Sequence, residues 1–259
     1  SVYTVLDKTM IGLLTGVEEE VAYYEQGQKI VKIAMALVTS LGTVMMPRIA
    51  NLFKQNRLEQ VREHLLKSFR FVFFLSFPMM FGLMAISCNL VPWFFGSGYD
   101  NVVPNMMVIS PILVIIALSN IMGTQYLLPI GRQKEYTFSV VVGCVVNFSM
   151  NILLIPHFLS IGAAIATVIA ESSVTGVQIY CIRKDFDFGH IMKENIHYVI
   201  SAFFMFILTY FGARFLRPSI ISTFLCVVVG ASIYLGILAI MKDDMLLQAR
   251  KILDSRFIK

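Results

Sequence analysis

Charged side chains are scarce in this sequence, and long apolar runs take their place. Charged residues make up 14% of the 259 residues, whereas a soluble domain carries about 25%. Hydrophobic residues make up 57%, and the mean hydropathy is +0.75. One folded core cannot hide that much apolar surface from water, so part of it must face lipid. The composition therefore predicts a membrane protein.

Residue types that serve in catalysis or metal binding are also few, and they form no known motif. The four cysteines, Cys88, Cys144, Cys181 and Cys226, lie in or beside apolar runs without metal-ligand spacing, and we interpret them as reduced thiols. The sequence has no P-loop, glycine-rich dinucleotide turn, paired carboxylates or channel filter. Its basic residues lie in short loops, so the net charge of +5 does not indicate nucleic acid binding. We therefore expect no enzyme, no ATP-driven pump, no channel and no cofactor.

Apolar runs long enough to cross a bilayer recur along the chain. A helix needs about 20 residues to span the hydrocarbon, and short polar or Gly- and Pro-containing turns separate the runs. We predict an all-α, polytopic transmembrane bundle with a partial span and seven full spans, at 1–15, 24–47, 68–92, 103–128, 136–156, 161–182, 197–216 and 219–241. Residues 51–70 suit a basic amphipathic helix on the membrane surface, and Pro78 and Pro111 are expected to kink their spans.

The distribution of basic residues predicts the orientation of these spans. Most of the 21 Lys and Arg residues fall in alternate connections, at 48–70, 132–134, 183–193 and 242–259. The opposite side carries Arg214 and Arg217 only. By the positive-inside rule, the first set is cytoplasmic, and the C-terminus is expected in the cytoplasm.

Polar residues nevertheless run along one face of the second span. Glu25, Gln28, Lys29, Lys32 and Thr39 fall within one broad helical stripe. A charge at the bilayer centre costs roughly 2.5–3.5 kcal/mol on insertion scales. The stripe therefore predicts a hydrated cavity, or side chains that reach the interface.

Asp7, on the preceding helix, is expected at about the depth of Lys32. One hypothesis places Asp7 with Lys32 or Lys29 on a hydrated cavity wall. The alternative is an interfacial Glu25–Lys29 pair, with Lys32 paired structurally to Asp7. The sequence leaves both open.

Two later spans carry matching polar positions. Asn147 and Asn151 recur at i+4 in one, and Thr167 and Glu171 do so in the next. Glu171 lies near the centre of its span, where a carboxyl group is a candidate proton or cation site. The alternative is an interhelical hydrogen bond, for example to Asn147. Such stripes are typical of secondary transporters.

Several stretches, taken together, resemble one known family. They are "VLDKTMIG", "YYEQGQKIVKIAMALVTSLGTVMMPRIANLF", "FFGSGYDN", "QYLLPIGRQKEYT" and "NFSMNILLIPHFLSIGAAIATVIAE". They closely resemble Wzx-type polysaccharide repeat-unit flippases of the multidrug/oligosaccharidyl-lipid/polysaccharide exporter superfamily. The resemblance implies a fold of two six-helix lobes around a central cavity. This chain looks like the second lobe (1–182, first helix truncated) with two extra helices and a cytoplasmic tail (183–259), and the N-terminal lobe is expected elsewhere in the protein.

The resemblance also implies a substrate. The family moves undecaprenyl-pyrophosphate-linked oligosaccharides across the bacterial cytoplasmic membrane by alternating access, for surface polysaccharide synthesis, and cavity cations are thought to hold the pyrophosphate. Substrate-binding candidates carried over to this chain are Lys29, Lys32, Asp7, Glu25 and Gln28. Thr39, Asn147, Asn151 and Thr167 are candidates for the polar cavity stripe, and Glu171 for coupling to H+ or Na+. Expected partners are the lipid-linked oligosaccharide, membrane lipids and a polysaccharide polymerase complex.

Three alternatives to this function stay open. A peptidoglycan-precursor flippase shares the fold and also needs cavity cations. A multidrug–cation antiporter shares it too, although two cavity lysines argue against cationic drugs. A non-transporting membrane scaffold of a polysaccharide assembly complex is the alternative from a different class.

Overall fold

The computed structural model describes residues 2–247, without the side chains at positions 2–4, 41 and 43. The predicted tail beyond residue 247 lies outside the described residues. Within that range the chain is helical and contains no strand. In chain order the helices are α1 (Val2–Thr15), α2 (Glu18–Lys54), α3 (Leu58–Phe94), α4 (Val102–Ile109), α5 (Ile112–Asn120), a π-helix (Ile121–Leu127), α6 (Gln133–Ile182), α7 (Phe188–Ala213) and α8 (Ile220–Ile240). The described part offers six helical segments long and apolar enough to cross a membrane. The predicted all-α transmembrane bundle is confirmed.

The second and third helices are longer than predicted. At 37 residues each, α2 and α3 reach about 55 Å at 1.5 Å per residue, against a hydrocarbon core of about 30 Å. The separate surface helix predicted at 51–70 is therefore wrong. Its residues form the overhanging ends of α2 and α3, joined at Asn56, whose φ of 57° reverses the chain.

The span predicted at 103–128 is divided. Ser110 and Pro111 separate α4 from α5, although both keep helical backbone angles, and the kink expected at Pro111 stays a prediction. By contrast, α3 continues through Pro78. The π-helix that follows α5 buries Gln125, and π-helical turns within longer helices often mark functional positions.

The two spans predicted at 136–156 and 161–182 are the two arms of α6. The helix reverses at Leu159, whose φ of 54° and ψ of −133° are not helical. The arms are antiparallel, because Gln178 Nε2 donates a hydrogen bond to Ser139 Oγ at 3.2 Å. Buried Glu20 of α2 accepts the Ser160 backbone N–H at 3.0 Å, so a carboxylate lies at the start of the second arm.

The turn between the arms requires glycine at position 162. A Cβ atom there would overlap the Leu154 carbonyl group and lie 2.9 Å from the Ile155 nitrogen, and both are backbone atoms that cannot move aside cheaply. We expect Gly162→Ala to destabilise the protein by about 1–3 kcal/mol, the usual range for overpacking. The measurement is thermal melting of the detergent-purified full-length protein.

Gly176→Ala is the matched control, because it lies on the same arm and an added methyl carbon there would meet nothing within 4 Å. Alanine has the higher helix propensity, so this variant should melt at or above the wild-type temperature. Equal melting temperatures for the two variants would refute the close approach at Gly162.

The last two helices, α7 and α8, pack against α3. The Tyr234 hydroxyl donates to the Phe74 carbonyl at 2.7 Å, and Trp93 Nε1 donates to Thr223 Oγ1 at 2.7 Å. Just beyond α8, Asp243 accepts hydrogen bonds from Tyr198 and His197 of α7. Burial opposes ionisation of Asp243, but these bonds and the Leu246 N–H hold its pKa below the ordinary value. A domain boundary at residue 182 stays a prediction.

Candidate functional site

A buried carboxylate is the centre of the polar residues in this bundle. Asp7 is 0% exposed. Its Oδ1 accepts hydrogen bonds from Asn147 Nδ2 at 3.0 Å and Asn151 Nδ2 at 2.7 Å. Its Oδ2 accepts from the Tyr24 hydroxyl at 2.5 Å and from Thr167 Oγ1 at 2.9 Å. Four neutral side chains thus converge on one carboxyl group.

The helical arrangement brings these residues together from distant parts of the sequence. Asp7 lies on α1 and Tyr24 on α2, which form an antiparallel pair. Asn147 and Asn151 share one face of the first arm of α6 at i+4 spacing. The reversal at Leu159 then places Thr167 of the second arm opposite them. The sequence predicted each polar face but not that all of them meet at Asp7.

The predicted place of Asp7 on a cavity wall is wrong for this conformation. Asp7 is fully buried and forms no ion pair with any described lysine or arginine. Asn147 and Asn151 are also 0% exposed, and Thr167 is buried, so these stripe residues face Asp7 instead of a cavity. The physical reason is that a desolvated carboxylate needs donors, and these side chains supply them.

The side chains around Asp7 donate to its carboxylate, and they also carry oxygen atoms. Asn151 Oδ1 is buried without a hydrogen-bond partner in the described part of the chain. Thr167 Oγ1 also contacts the Ala163 carbonyl, at 3.0 Å. Carboxylate, amide, hydroxyl and carbonyl oxygens are ligands that hard cations prefer. The described residues include no group of three or more His, Cys, Asp or Glu that could hold a metal.

A second charged group lies at the surface of α1 and α2. Lys8 Nζ is 2.8 Å and Lys29 Nζ 3.3 Å from Glu25 Oε1. The expected Glu25–Lys29 pair is therefore present, with Lys8 as a third member that the sequence reasoning missed. Lys29 is the most exposed of the three, at 57% of its side chain. The charge at Glu25 thus balances only one of these two lysines.

Lys32 is connected to Asp7 indirectly. Its Nζ donates to Gln28 Oε1 at 2.9 Å, and Gln28 Nε2 donates to the Tyr24 hydroxyl at 3.0 Å. Tyr24 in turn donates to Asp7. The direct Lys32–Asp7 pairing is therefore wrong, because two neutral side chains lie between them. The i+4 spacing of Tyr24, Gln28 and Lys32 was the available signal for Tyr24.

The two remaining candidates, Thr39 and Glu171, are not among the four hydrogen-bond donors to Asp7. Thr39 is half-buried and bonds to the Met35 carbonyl of its own helix, at 3.0 Å. Glu171 is half-buried and close enough to Asp7 for the two carboxyl groups to interact electrostatically. The suggested Glu171–Asn147 hydrogen bond is wrong for the described residues, where Asn147 donates to Asp7 and accepts from Asn151. A functional role for either residue stays a prediction.

An apolar groove of about 320 Å³ opens between α3, α7 and α8. Its wall includes Pro78 and Gly82 of α3, Met205 of α7 and Gly230 of α8. It also reaches α2 at Ala34, two residues after Lys32. A hydrocarbon chain is the kind of ligand that such a lining accepts.

Comparison with known proteins identifies the family. Residues 16–230 match the family model described as "Lipid II flippase MurJ". The chain belongs to the MurJ family. The sequence resemblance to flippases of lipid-linked glycans is thereby confirmed, and the family is one of transporters.

Individual MurJ-family and glycan-flippase relatives agree with this assignment. The chain is 26% identical over 185 residues to the "Putative O-antigen transporter" of Escherichia coli (strain K12), covering 71% of this chain and 44% of that protein. It is 26% identical over 143 residues to "Lipid II flippase MurJ" of Bacillus subtilis (strain 168), covering 54% of this chain and 26% of that one.

A solved MurJ structure has the same fold. "Lipid II flippase MurJ, inward closed conformation" superimposes with a TM-score of 0.81 at 17% identity, covering 95% of this chain and 52% of that one. The chain thus spans about half the length of the MurJ-type proteins it matches. Its helices and these relatives make it part of a multi-pass membrane protein.

Proposed function

We propose that the full-length protein moves undecaprenyl-pyrophosphate-linked oligosaccharides across the bacterial cytoplasmic membrane for surface polysaccharide synthesis. The observation that carries this proposal is the excess of positive charge on one face of α1 and α2. Lys8 and Lys29 share one glutamate, Glu25, so two ammonium groups face one carboxylate. Inside a membrane such a charge excess is costly, and a pyrophosphate group would compensate it.

The apolar groove supports a lipid-linked substrate. The groove reaches α2 at Ala34, and its apolar lining would accommodate a polyprenyl chain. Burial of each CH2 group contributes about 0.8 kcal/mol when the chain leaves water. In the membrane the groove would orient the chain more than bind it, since lipid is equally apolar.

We further propose that a coupling cation binds at Asp7, with Glu171 close enough to sense its charge. The support is the fully buried carboxylate of Asp7, whose hydrogen-bond donors are all neutral side chains. Residues 7, 147, 151 and 167 would hold the ion. Sodium fits the oxygen donors, and a proton on the carboxyl group is the alternative.

A second candidate is lipid II as the substrate. The family description and the Bacillus subtilis relative name it, whereas the Escherichia coli relative is named for O-antigen. Both substrates are anionic polyprenyl-linked glycans, so the cationic face and the groove suit either one. In both cases the C-terminus would lie in the cytoplasm, and a polymerase complex would take up the product.

Two complementation strains separate the candidates. The full-length protein is expressed in cells that lack their polysaccharide flippase and, separately, in cells depleted of their lipid II flippase. We expect restored surface polysaccharide in the first strain and no restored growth in the second, with membrane abundance checked by blot. The reverse pattern would establish the lipid II candidate. Rescue of neither strain by a well-expressed protein would contradict both.

A further inference from the structure

Three hydrogen bonds in series run from Lys32 to Asp7, and all point the same way. Lys32 donates to Gln28 at 2.9 Å, Gln28 to Tyr24 at 3.0 Å, and Tyr24 to Asp7 at 2.5 Å. Gln28 is 4% exposed and Tyr24 is 1% exposed. Hydrogen bonds aligned in a low-dielectric interior polarise one another. The chain of contacts therefore transmits the charge at Asp7 towards the half-buried Lys32.

The Tyr24 hydroxyl has a second possible acceptor. It lies 3.0 Å from Thr167 Oγ1, and either oxygen can donate in that contact. While Asp7 carries an uncompensated charge, it is the stronger acceptor. When a cation offsets that charge, the attraction of Asp7 for the hydroxyl proton weakens. Tyr24 then becomes a weaker acceptor for Gln28, and Gln28 a weaker acceptor for Lys32.

We propose that Tyr24 and Gln28 are positioning residues that couple cation binding at Asp7 to anion binding at Lys32. The inference rests on the proposed function, since it needs a lipid pyrophosphate at Lys32 and a cation at Asp7. With the cation absent, the Lys32 ammonium is directed at Gln28. With the cation bound, the ammonium turns to the pyrophosphate. By linkage, the pyrophosphate strengthens cation binding by the same factor.

The test measures how sodium changes lipid affinity in the full-length protein. Undecaprenyl pyrophosphate is the probe, and the protein in nanodiscs is titrated in NaCl and in choline chloride at equal ionic strength. For the wild type we expect NaCl to tighten binding about fivefold or more, the lower end of typical coupling. For Tyr24→Phe and for Gln28→Leu we expect a difference below about twofold. Tyr23→Phe is the matched control, because Tyr23 packs edge-on against Tyr99 at 6.1 Å and lies outside the chain of contacts.

A second readout separates coupling from cation binding itself. Sodium should raise the melting temperature of lipid-free wild type and of Gln28→Leu alike, because Gln28 does not touch Asp7. If Gln28→Leu keeps the full sodium effect on lipid affinity, the inference is overturned. It is also overturned if the wild type binds the probe equally in both salts. A wild type that fails to bind the probe at all would instead refute the proposed function.

Discussion

Replacing Asp7 by asparagine is expected to abolish the cation dependence of transport and to lower the transport rate at least about tenfold. The carboxylate accepts from four donors on three other helical segments. An amide offers one acceptor oxygen and turns an N–H group towards donors, so at least one donor loses its partner, at about 1–3 kcal/mol. The charge that would hold a cation is also lost. Transport of labelled lipid-linked oligosaccharide with and without a sodium gradient measures both effects.

Asp100→Asn is the matched control for this substitution. It makes the same chemical change at an exposed residue in the connection between α3 and α4, and we expect wild-type transport from it. Membrane abundance of Asp7→Asn should stay near wild type, because removing a buried charge offsets part of the lost hydrogen bonding. Sodium-dependent transport that survives in Asp7→Asn would remove Asp7 from the coupling site.

The second large effect is expected at Lys32. Lys32→Ala should lower export about tenfold or more, since a hydrogen bond to a charged group contributes about 1.5–3 kcal/mol. Lys29→Ala should have a clearly smaller effect, because the Lys29 side chain is 57% exposed whereas Lys32 is half-buried. Surface polysaccharide in flippase-deficient cells, normalised to membrane abundance, is the measurement.

Lys32→Arg tests whether charge alone suffices at this position. Arginine keeps the positive charge but replaces a compact ammonium by a planar group, so we expect export between that of Lys32→Ala and the wild type. Equal loss in Lys29→Ala and Lys32→Ala would contradict the distinction drawn from their exposure. Unchanged export in Lys32→Ala would assign this lysine to a structural role.

Much of the fold could be predicted from the sequence. Hydropathy located each spanning segment, and the reversal near Leu159 falls between the two spans predicted on either side of it. Helix ends were less accurate, because α2 and α3 continue beyond the bilayer as amphipathic overhangs. Composition shows where a helix leaves the hydrocarbon layer, but it does not show where the helix itself ends.

The sequence predicted individual residues of the candidate site, but it did not predict how they contact one another. Helical periodicity grouped Asn147 with Asn151 and Gln28 with Lys32, because i+4 neighbours share a face. It could not show that Asp7 is the common acceptor, since that depends on how α1, α2 and both arms of α6 are rotated about their axes. Side-chain packing sets those rotations, and a single sequence does not encode them in any local pattern. Lys8 was missed for the same reason.

Movement of a labelled undecaprenyl-pyrophosphate oligosaccharide in proteoliposomes is the most direct test of the central proposal. The full-length wild type, Lys32→Ala and Asp7→Asn are reconstituted at equal protein density, and the label reaching the opposite leaflet is followed with time. We expect rapid movement with the wild type, stimulated by a sodium gradient, and strongly reduced movement with both variants. Movement by the wild type no faster than in protein-free liposomes, with the gradient applied, would contradict the proposal that this protein is a lipid-linked oligosaccharide flippase.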